Sequence, residues 1–226
     1  MALTVVIEGI DGSGKGTQAQ RLHSRLQQLG KPAALISFPR YTETLFGQVV
    51  GEFLNGRFGS LEQVDPFLAA LLYAGDRYES RPFLLEAQRT HDVVVLDRYV
   101  PSNVAHQAAK RDGPEREELV DRIMRVEHDV YEMPKPDLVL LLDLPVRLAQ
   151  RLIAAKSRRD YTDRPADLQE ADADYLERVR QLYLQLADGE RNWHTVTCTR
   201  DEQIRSIEEI GNEIWDVVQS RRGTEA

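Results

Sequence analysis

The residues best suited to chemistry form one glycine-rich segment, Gly9-Ile10-Asp11-Gly12-Ser13-Gly14-Lys15-Gly16-Thr17. Its glycines let the backbone fold around phosphate oxygens with the N–H groups turned inward. The helical pattern that follows adds partial positive charge at its N-terminus, and Lys15 adds a full one. The segment departs from the usual phosphate loop at Gly16, because the hydroxyl that ligates Mg²⁺ comes one residue later, at Thr17. A glycine turn without a ligand is the alternative, but the lysine and the strand–loop–helix context favour a site for nucleotide phosphates.

Two further clusters end later strands of the pattern. Asp97-Arg98-Tyr99 ends the third predicted strand, and Phe38-Pro39-Arg40-Tyr41 ends the second. Ligands of open α/β folds bind at this carboxyl edge of the sheet. Asp97 is suited to assist a magnesium-bound water, and Arg98 can bind a second phosphate with its forked guanidinium. Arginines at two neighbouring strand ends predict a second anionic ligand, and a pair of salt-bridged loop arginines is the alternative.

The elements that must position these residues follow from the apolar patterns. Five short runs predict strands: Val5–Ile7, Ala33–Ile36, Val93–Leu96, Leu138–Leu142 and Thr195–Cys198. The third and fourth are continuous, which is typical of strands buried on both faces of a parallel sheet. Helical spacing recurs in five stripes, which run from Ala19 to Leu29, from Pro66 to about Leu85, from Leu119 to Val130, from Tyr175 to Leu186 and from Ile204 to Val217. The alternation predicts an α/β fold with a parallel core.

Composition excludes several classes of protein. The 226 residues include 29 Lys and Arg against 37 Asp and Glu, a formal net charge of −8. This acid excess argues against a protein that coats nucleic acid, which needs a basic surface. No apolar run approaches the roughly 20 residues that span a bilayer, and no basic segment marks a signal peptide before the first strand. The single cysteine, Cys198, fits a reducing compartment. We expect one cytoplasmic domain over residues 1–220 and a flexible tail at 221–226.

Four motifs, in order along the chain, resemble those of thymidylate kinases. They are the Asp11-bearing loop, Phe38-Pro39-Arg40, Leu72-Tyr73-Ala74-Gly75-Asp76-Arg77 and Asp97-Arg98-Tyr99-Val100-Pro101-Ser102-Asn103. The resemblance implies a three-layer P-loop kinase fold, in which helices flank a five-stranded parallel sheet and a mobile lid closes the site. It also implies transfer of the γ-phosphoryl group of MgATP to dTMP, and a homodimer packed through helices near Tyr73.

The resemblance implies which residues bind the base of the acceptor. Tyr73 would stack on the pyrimidine, and Arg77, four residues later on the same helix face, would donate to its exocyclic oxygen. Asn103 and Gln107 fall where the family reads the pyrimidine edge. A core tyrosine beside a solvated arginine has the same helical spacing, so the spacing alone leaves both interpretations open.

The sugar and phosphate of the acceptor are assigned in the same way. Asp11 would hold the 3′-hydroxyl, while Arg40 and Arg98 would bind the phosphate. His106 departs from the family, since many thymidylate kinases have Tyr or Phe there, where bulk disfavours a 2′-hydroxyl. Histidine is smaller and can form hydrogen bonds, so we treat its effect on ribonucleotide discrimination as a hypothesis.

The predicted lid spans about residues 154–167. It lacks an apolar stripe and contains four basic residues, Lys156, Arg158, Arg159 and Arg164. Thymidylate kinases without a basic residue in the phosphate loop supply one from the lid, and Gly12 occupies that loop position here. The resemblance therefore implies catalytic roles for Arg158 and Arg159. An Asp-x-x-Glu pair after the lid, Asp167 and Glu170, resembles the acidic pair that closes over the nucleotide.

Three other functions share part of the pattern that predicts a dTMP kinase. The chain has no Asn-Lys-x-Asp guanine motif, which disfavours a regulatory GTPase. Gly14-Lys15-Gly16-Thr17 also resembles the adenylate kinase loop, so another nucleoside monophosphate kinase is the nearest alternative. A P-loop ATPase switch is the alternative of a different class, and it would not need the second set of arginines.

Overall fold

A sheet of five parallel strands forms the centre of the protein. The computed structural model describes residues 2–60, 63–154 and 172–223. The strands of the sheet are β1 (Leu3–Glu8), β2 (Ala33–Ser37), β3 (Val93–Asp97), β4 (Leu138–Asp143) and β5 (Trp193–Thr197). They lie in the order β2-β3-β1-β4-β5, and every neighbouring pair is parallel. The sheet predicted from the apolar runs is confirmed.

Helices cover both faces of this sheet. The α-helices are α1 (Lys15–Gln28), α2 (Leu45–Leu54), α3 (Pro66–Thr90), α4 (Val100–Ala108), α5 (Gly113–Met124), α6 (Val146–Ala154), α7 (Ala173–Gly189) and α8 (Ile207–Gly223), and a π-helix (Arg125–Val130) follows α5. Asp65 is the N-cap of α3, because its carboxylate accepts hydrogen bonds from the first-turn N–H groups of Phe67 and Leu68. No helix in the described ranges is long and apolar enough to cross a membrane.

The last predicted helical stripe began too early. Ile204 lies instead in β7 (Gln203–Ile204), which pairs with β6 (Thr199–Arg200) in a small antiparallel ribbon. Helix α8 begins after Ser206, whose hydroxyl accepts from Glu209 N–H at 3.1 Å while the Glu209 carboxylate accepts from Ser206 N–H at 3.0 Å. This reciprocal capping starts the helix there. Helix α8 continues to Gly223, and residues 224–226 of the predicted tail lie outside the described ranges.

Alternate residues of the central strands face two hydrophobic cores. On β1, Val5 and Ile7 pack with the α1, α7 and α8 side of the sheet, whereas Val6 packs with the α3 and α5 side. Val93–Leu96 of β3 are fully buried, as their continuous apolar pattern predicted. Burial on both faces establishes the three-layer α/β architecture.

The order of the strands reverses beside β1. Its neighbours β3 and β4 come from opposite halves of the chain, and Ile7 pairs in register with Asp97. The glycine-rich loop that follows β1 therefore emerges beside the Asp97-Arg98-Tyr99 segment that follows β3. Open α/β sheets bind ligands in the crevice at such a point.

Candidate active site

A cavity of about 430 Å³ opens at this edge of the sheet. Its volume lies within the range of sites for small molecules. Its walls come from the glycine-rich loop, the ends of β2 and β3, and the helices α2, α3 and α4. The lining residues are Asp11, Gly12, Gly14, Lys15, Gly16, Ser37, Phe38, Pro39, Tyr41, Leu54, Tyr73, Arg77, Asp97, Arg98, Tyr99, Ser102, Asn103, His106 and Gln107. Most of the residues predicted to bind phosphate and pyrimidine thus lie around one space.

The glycine-rich loop turns directly into α1. Gly14 adopts φ 90° as the N-cap residue, a left-handed conformation that suits glycine, and Lys15 is the first helical residue. Lys15 is buried, and its Nζ donates to the Ile10 carbonyl oxygen at 2.7 Å. Burial, reinforced by the positive charge of Arg98, lowers the pKa of Lys15 to about 8. Phosphate oxygens arriving here would favour the charged form, so the ammonium is poised to bind an anion.

Gly12 has no room for a side chain. It adopts φ 81°, and an added Cβ would lie 2.4 Å from the Ala149 carbonyl oxygen and 2.9 Å from Ile153 Cγ1, both on α6. Contact with this helix is the physical reason that no basic residue can stand at this loop position in the present conformation. The loop itself therefore supplies one cationic side chain, Lys15.

Asp97 lies beside the first turn of α1. A Cβ added to Gly16 would fall 3.1 Å from Asp97 Oδ2, so the glycine leaves space next to this carboxylate. Thr17 is exposed and does not line the cavity. In the described residues no group of three or more His, Cys, Asp or Glu forms a preassembled metal centre. One carboxylate near a phosphate loop nevertheless fits Mg²⁺, which takes few protein ligands and completes its shell with phosphate oxygens and water.

Arg98 is held in an unusual backbone conformation at the mouth of the cavity. Its φ of 66° is left-handed, and its N–H donates to the Ile7 carbonyl oxygen at 3.1 Å. The guanidinium forms an ion pair with Asp11 and donates to Ser102 Oγ at 2.7 Å. Burial disfavours the charged form of Arg98 and so acts to lower its pKa. Nearby carboxylates, among which Asp11 has the largest effect, outweigh burial and raise the pKa well above the ordinary value. Arg98 is therefore a permanent, oriented cation beside the phosphate loop.

Glu8, at the end of β1, is fully buried beneath this site. Its Oε1 accepts from the N–H groups of Tyr99 at 2.8 Å and Ser102 at 3.2 Å, and its Oε2 accepts from Tyr183 Oη at 2.9 Å. The two backbone donors belong to the start of α4, so Glu8 satisfies N–H groups that a helix N-terminus leaves unpaired. Burial raises the pKa of Glu8 to about 7, against the opposing charge of Arg98.

His106 is a buried, neutral imidazole. Tyr175 Oη donates its hydrogen to the His106 carbonyl oxygen at 2.9 Å, and the same Oη lies 3.1 Å from Nδ1 of the His106 ring. Because the hydroxyl has one hydrogen, it must accept from the ring, so Nδ1 of His106 carries the proton. Nε2 is then an acceptor and lies 3.4 Å from Arg98 Nη1. Burial, with the charge of Arg98, lowers the pKa of His106 to about 3. The histidine thus connects α4 to α7 and contacts Arg98 without carrying charge.

The inner end of the cavity holds a buried polar cluster. Arg77 Nε donates to Glu127 Oε2 at 3.0 Å, and Arg77 Nη2 forms an ion pair with Glu127 Oε1. Asn103 Nδ2 donates to Glu127 Oε1 and to the Ala70 carbonyl oxygen, each at 3.0 Å. Asn103 Oδ1 and Gln107 Nε2 are buried, and within the described ranges neither has a hydrogen-bond partner. Tyr73, one helical turn before Arg77, lines the same cavity.

Arg40, like Thr17, is a predicted ligand that does not line the cavity. Its guanidinium lies over the Phe83 ring at 4.7 Å, and its Nη1 donates to Ser80 Oγ at 3.4 Å. Its backbone N–H donates to the buried Asp76 carboxylate at 3.1 Å, which holds the loop against α3. The cation–π contact and the Ser80 hydroxyl hold the side chain against α3. The predicted contact of Arg40 with the acceptor phosphate stays a prediction. Tyr41, which was not predicted, lines the cavity instead.

The family model described as Thymidylate kinase matches residues 7–214. The chain belongs to the thymidylate kinase family. The thymidylate kinase of Mycobacterium tuberculosis is 32% identical to it over 185 residues, covering 82% of this chain and 86% of the relative. A protein described as a probable thymidylate kinase from Thermococcus onnurineus is 33% identical over 220 residues, covering 95% and 96%. The solved structure of the Candida albicans thymidylate kinase shares the fold, with a TM-score of 0.74, 23% identity and coverage of 98% and 92%.

Apart from Ala154, which ends α6, the lid that the thymidylate kinase resemblance implied lies outside the described residues. Residues 155–171 include Lys156, Arg158, Arg159 and Arg164 together with the acidic pair Asp167 and Glu170. Their predicted roles stay predictions.

Besides Tyr41, four side chains that contact predicted site residues were missed in the sequence. They are Glu8, Glu127, Tyr175 and Tyr183. Glu8 had a detectable signal, since it is an acid at the end of an otherwise apolar strand, next to the phosphate loop. Glu127 had none, because it stands in the charged segment Arg125–Val130 and its partner Arg77 lies 50 residues away.

Proposed function

We propose that the protein is an ATP-dependent dTMP kinase, which transfers the γ-phosphoryl group of MgATP to dTMP and yields dTDP and ADP. The observation that carries the proposal is a single cavity with cations at one end and a buried base-reading cluster at the other. Lys15 and Arg98 supply the cations, while Arg77 and Asn103 belong to the cluster. Binding of a nucleoside monophosphate acceptor requires both the cationic end and the cluster that binds the base, whereas an ATPase switch requires only the cationic end.

The glycine-rich loop would bind the phosphates of ATP. Its backbone N–H groups, the N-terminus of α1 and the Lys15 ammonium all present positive charge to them. Mg²⁺ would be held by Asp97, and by Thr17 through water, and it would neutralise charge that develops on the transferring phosphoryl group. The sequence and the geometry of Asp97 support this assignment.

The base of dTMP would occupy the inner end of the cavity. The Tyr73 ring offers a stacking face. Arg77 Nη1, the guanidinium nitrogen that Glu127 does not contact, would donate to the exocyclic oxygen at C4. Asn103 Oδ1 would accept from the N3–H group of the base. Gln107 Nε2 is a further donor for the pyrimidine edge. These contacts satisfy buried polar atoms that would otherwise cost free energy.

The sugar and phosphate of dTMP would lie between the base and the loop. Asp11 would accept from the 3′-hydroxyl while it holds the Arg98 guanidinium in place. Arg98 would then donate to the acceptor phosphate. His106, neutral and in contact with Arg98, would lie beside the deoxyribose.

The chemistry requires little acid–base assistance, because the acceptor phosphate is already an anionic nucleophile. The main barrier is the approach of two polyanions, and positioned cations lower it. Lys15 and Arg98 would act from the described site, and Arg158 and Arg159 from the lid. Closure of the lid would also exclude water and limit wasteful hydrolysis of ATP.

We also propose that the protein acts as a cytoplasmic homodimer. Helix α3 exposes large apolar side chains, among them Leu68, Tyr78 and Phe83. A second copy of the chain would cover such a surface. Light scattering after size-exclusion chromatography should give twice the monomer mass of 25.8 kDa.

One coupled assay tests the proposed activity. ATP consumption is measured with dTMP, dUMP, UMP, AMP or no acceptor, and dTMP should give the highest kcat/KM. Dependence on AMP would indicate an adenylate kinase, and turnover without an acceptor would indicate an ATPase switch.

A further inference from the structure

Glu127 is a fully buried carboxylate that the proposed chemistry does not use directly. It lies on the π-helix Arg125–Val130, in which the chain makes wider turns than an α-helix. Such segments are rare and frequently occur at functional sites. The Met133 N–H donates to the Glu127 carbonyl oxygen at 2.8 Å, which ties the backbone of Glu127 to the end of this segment. The carboxylate is therefore presented to the cavity wall from a fixed backbone.

The carboxylate first restricts Arg77. Two of the three guanidinium nitrogens of Arg77, Nε and Nη2, are engaged with Glu127. Within the described ranges no hydrogen bond engages the third, Nη1, so that nitrogen remains for a ligand. The planar fork of an arginine allows one orientation for a two-point contact, and the direction of Nη1 is thereby set. The ion pair also cancels the charge of Arg77, which suits a neutral base.

The carboxylate also restricts Asn103. Both hydrogens of Asn103 Nδ2 have acceptors, which are Glu127 Oε1 and the Ala70 carbonyl oxygen. An amide with its nitrogen so engaged must turn its oxygen the other way. Asn103 Oδ1 is buried without a described partner, and Asn103 lines the cavity. The Glu127 carboxylate therefore orients two neighbouring groups, the donor Nη1 of Arg77 and the acceptor Oδ1 of Asn103.

We propose that Glu127 is a positioning residue that orients Arg77 and Asn103 to accept a 4-oxo pyrimidine and to reject a 4-amino pyrimidine. The proposal rests on the proposed dTMP site. Thymine and uracil present an acceptor at O4 next to a donor at N3, which complements Arg77 Nη1 and Asn103 Oδ1. Cytosine, held by the same sugar and phosphate contacts, would set its amino group against the guanidinium and its N3 lone pair against Oδ1. Both contacts would then be repulsive, and two buried groups would lack partners.

The test compares Glu127→Gln with a matched control at an ion pair between α3 and the residues that follow the π-helix. Arg81, one turn after Arg77 on α3, pairs with the exposed side chain of Glu132, and Glu132→Gln removes that carboxylate outside the cavity. Steady-state kcat and KM are measured for dTMP, dUMP and dCMP. In Glu127→Gln the KM for dTMP should rise roughly 10- to 100-fold, and the dTMP-to-dCMP ratio of kcat/KM should fall at least tenfold. The second effect follows because Asn103 can then turn its NH₂ group to the base. Glu132→Gln should change neither quantity.

The outcomes distinguish a failure of the proposed dTMP kinase function from a failure of the proposed role of Glu127. Wild-type protein that does not phosphorylate dTMP would overturn the proposed function. The role of Glu127 would be overturned if the wild-type protein phosphorylates dTMP and a folded Glu127→Gln variant keeps the same dTMP-to-dCMP ratio of kcat/KM. A purely structural carboxylate would give that result, because its loss would lower the melting temperature without altering base preference. If the variant does not fold, the wild-type protein is titrated with N3-methyl-dTMP. Weaker binding than dTMP by tenfold or more is expected, and equal binding would refute an acceptor at N3.

Discussion

Arg98 offers the sharpest test of the proposed catalysis, because its backbone and its side chain can be perturbed separately. The residue has φ 66°, a conformation that glycine adopts without strain and alanine does not. Arg98→Gly and Arg98→Ala both delete the guanidinium, and they differ in backbone strain. Arg98→Lys keeps a positive charge but lacks the fork that reaches Asp11 and Ser102 together.

The magnitudes follow from the contacts of the guanidinium. Deletion removes an ion pair with Asp11 and a charge-assisted hydrogen bond to Ser102, each worth about 1.5–3 kcal/mol at a site that is largely shielded from water. Loss of an arginine that neutralises the transferring phosphoryl group lowers kcat by about 10³–10⁵ in other enzymes, which corresponds to about 4–7 kcal/mol of activation free energy. We expect both deletion variants to lose at least 10³-fold in kcat and Arg98→Lys to lose roughly 10- to 100-fold. The glycine variant should be more stable than the alanine variant by about 1 kcal/mol.

The assay combines coupled steady-state kinetics with urea unfolding at pH 7.5. The glycine and alanine variants should share one kcat and differ in the free energy of unfolding. If either deletion variant kept more than a tenth of the wild-type kcat, Arg98 would contribute only to binding. If the two variants differed in kcat, the backbone geometry at residue 98 and not the loss of the guanidinium would account for the change in turnover, which would refute a catalytic role for the side chain.

Three further predictions concern pH, the lid and the sugar. Burial raises the pKa of Glu8 to about 7, so the folded state favours the protonated carboxyl group. As pH rises from about 5 to about 8, the free energy of unfolding of the wild-type protein should therefore fall by on the order of 3 kcal/mol relative to that of Glu8→Gln. Urea unfolding measures this difference. Arg158→Ala and Arg159→Ala should each lower kcat far more than they lower dTMP affinity, measured by turnover and by titration calorimetry, because lid cations act on the transition state. His106→Tyr should lower the ratio of kcat/KM for UMP to that for dUMP, because a larger ring beside the sugar leaves less space for a 2′-hydroxyl.

Each of these has an outcome that contradicts it. A stability difference between wild type and Glu8→Gln that is constant with pH would mean that Glu8 keeps an ordinary pKa. A lid variant with a defect in binding alone would exclude a catalytic lid. An unchanged UMP-to-dUMP ratio would leave His106 with its contacts to Tyr175 and Arg98 and no part in sugar selection.

The sheet was predictable because its signal is local and strong. Val93–Leu96 and Leu138–Leu142 are continuous apolar runs, and burial on both faces leaves no polar alternation to obscure them. Helices α2, α4 and α6 have no counterpart among the five predicted helical stripes. Helix α2 is short and contains Gly47 and Gly51, and α4 is buried on most sides, so its sequence lacks the one-sided apolar stripe of a surface helix.

The candidate site was predictable only in part. Lys15 follows β1 across the glycine-rich loop, and Asp97 and Arg98 stand at the end of β3, so the topology of a parallel sheet brings them together. Arg40 stands in a similar place in the sequence. Its side chain nevertheless packs on α3, because it contacts Ser80 and Phe83, which lie 40 or more residues along the chain. Side-chain direction in a loop depends on such distant contacts, which no local pattern contains.

The amino-acid sequence was sufficient to predict the parallel α/β sheet, the phosphate loop and the family, since each depends on residue types at short, regular spacing. Which charged side chains are paired and which can bind a ligand depends on the folded chain. Arg77 is neutralised by Glu127, Arg98 is oriented by Asp11, and Glu8 lies buried beneath the site. The physical reason is that burial and pairing set the direction and the charge state of an ionisable side chain, and both depend on segments that meet only in the folded chain.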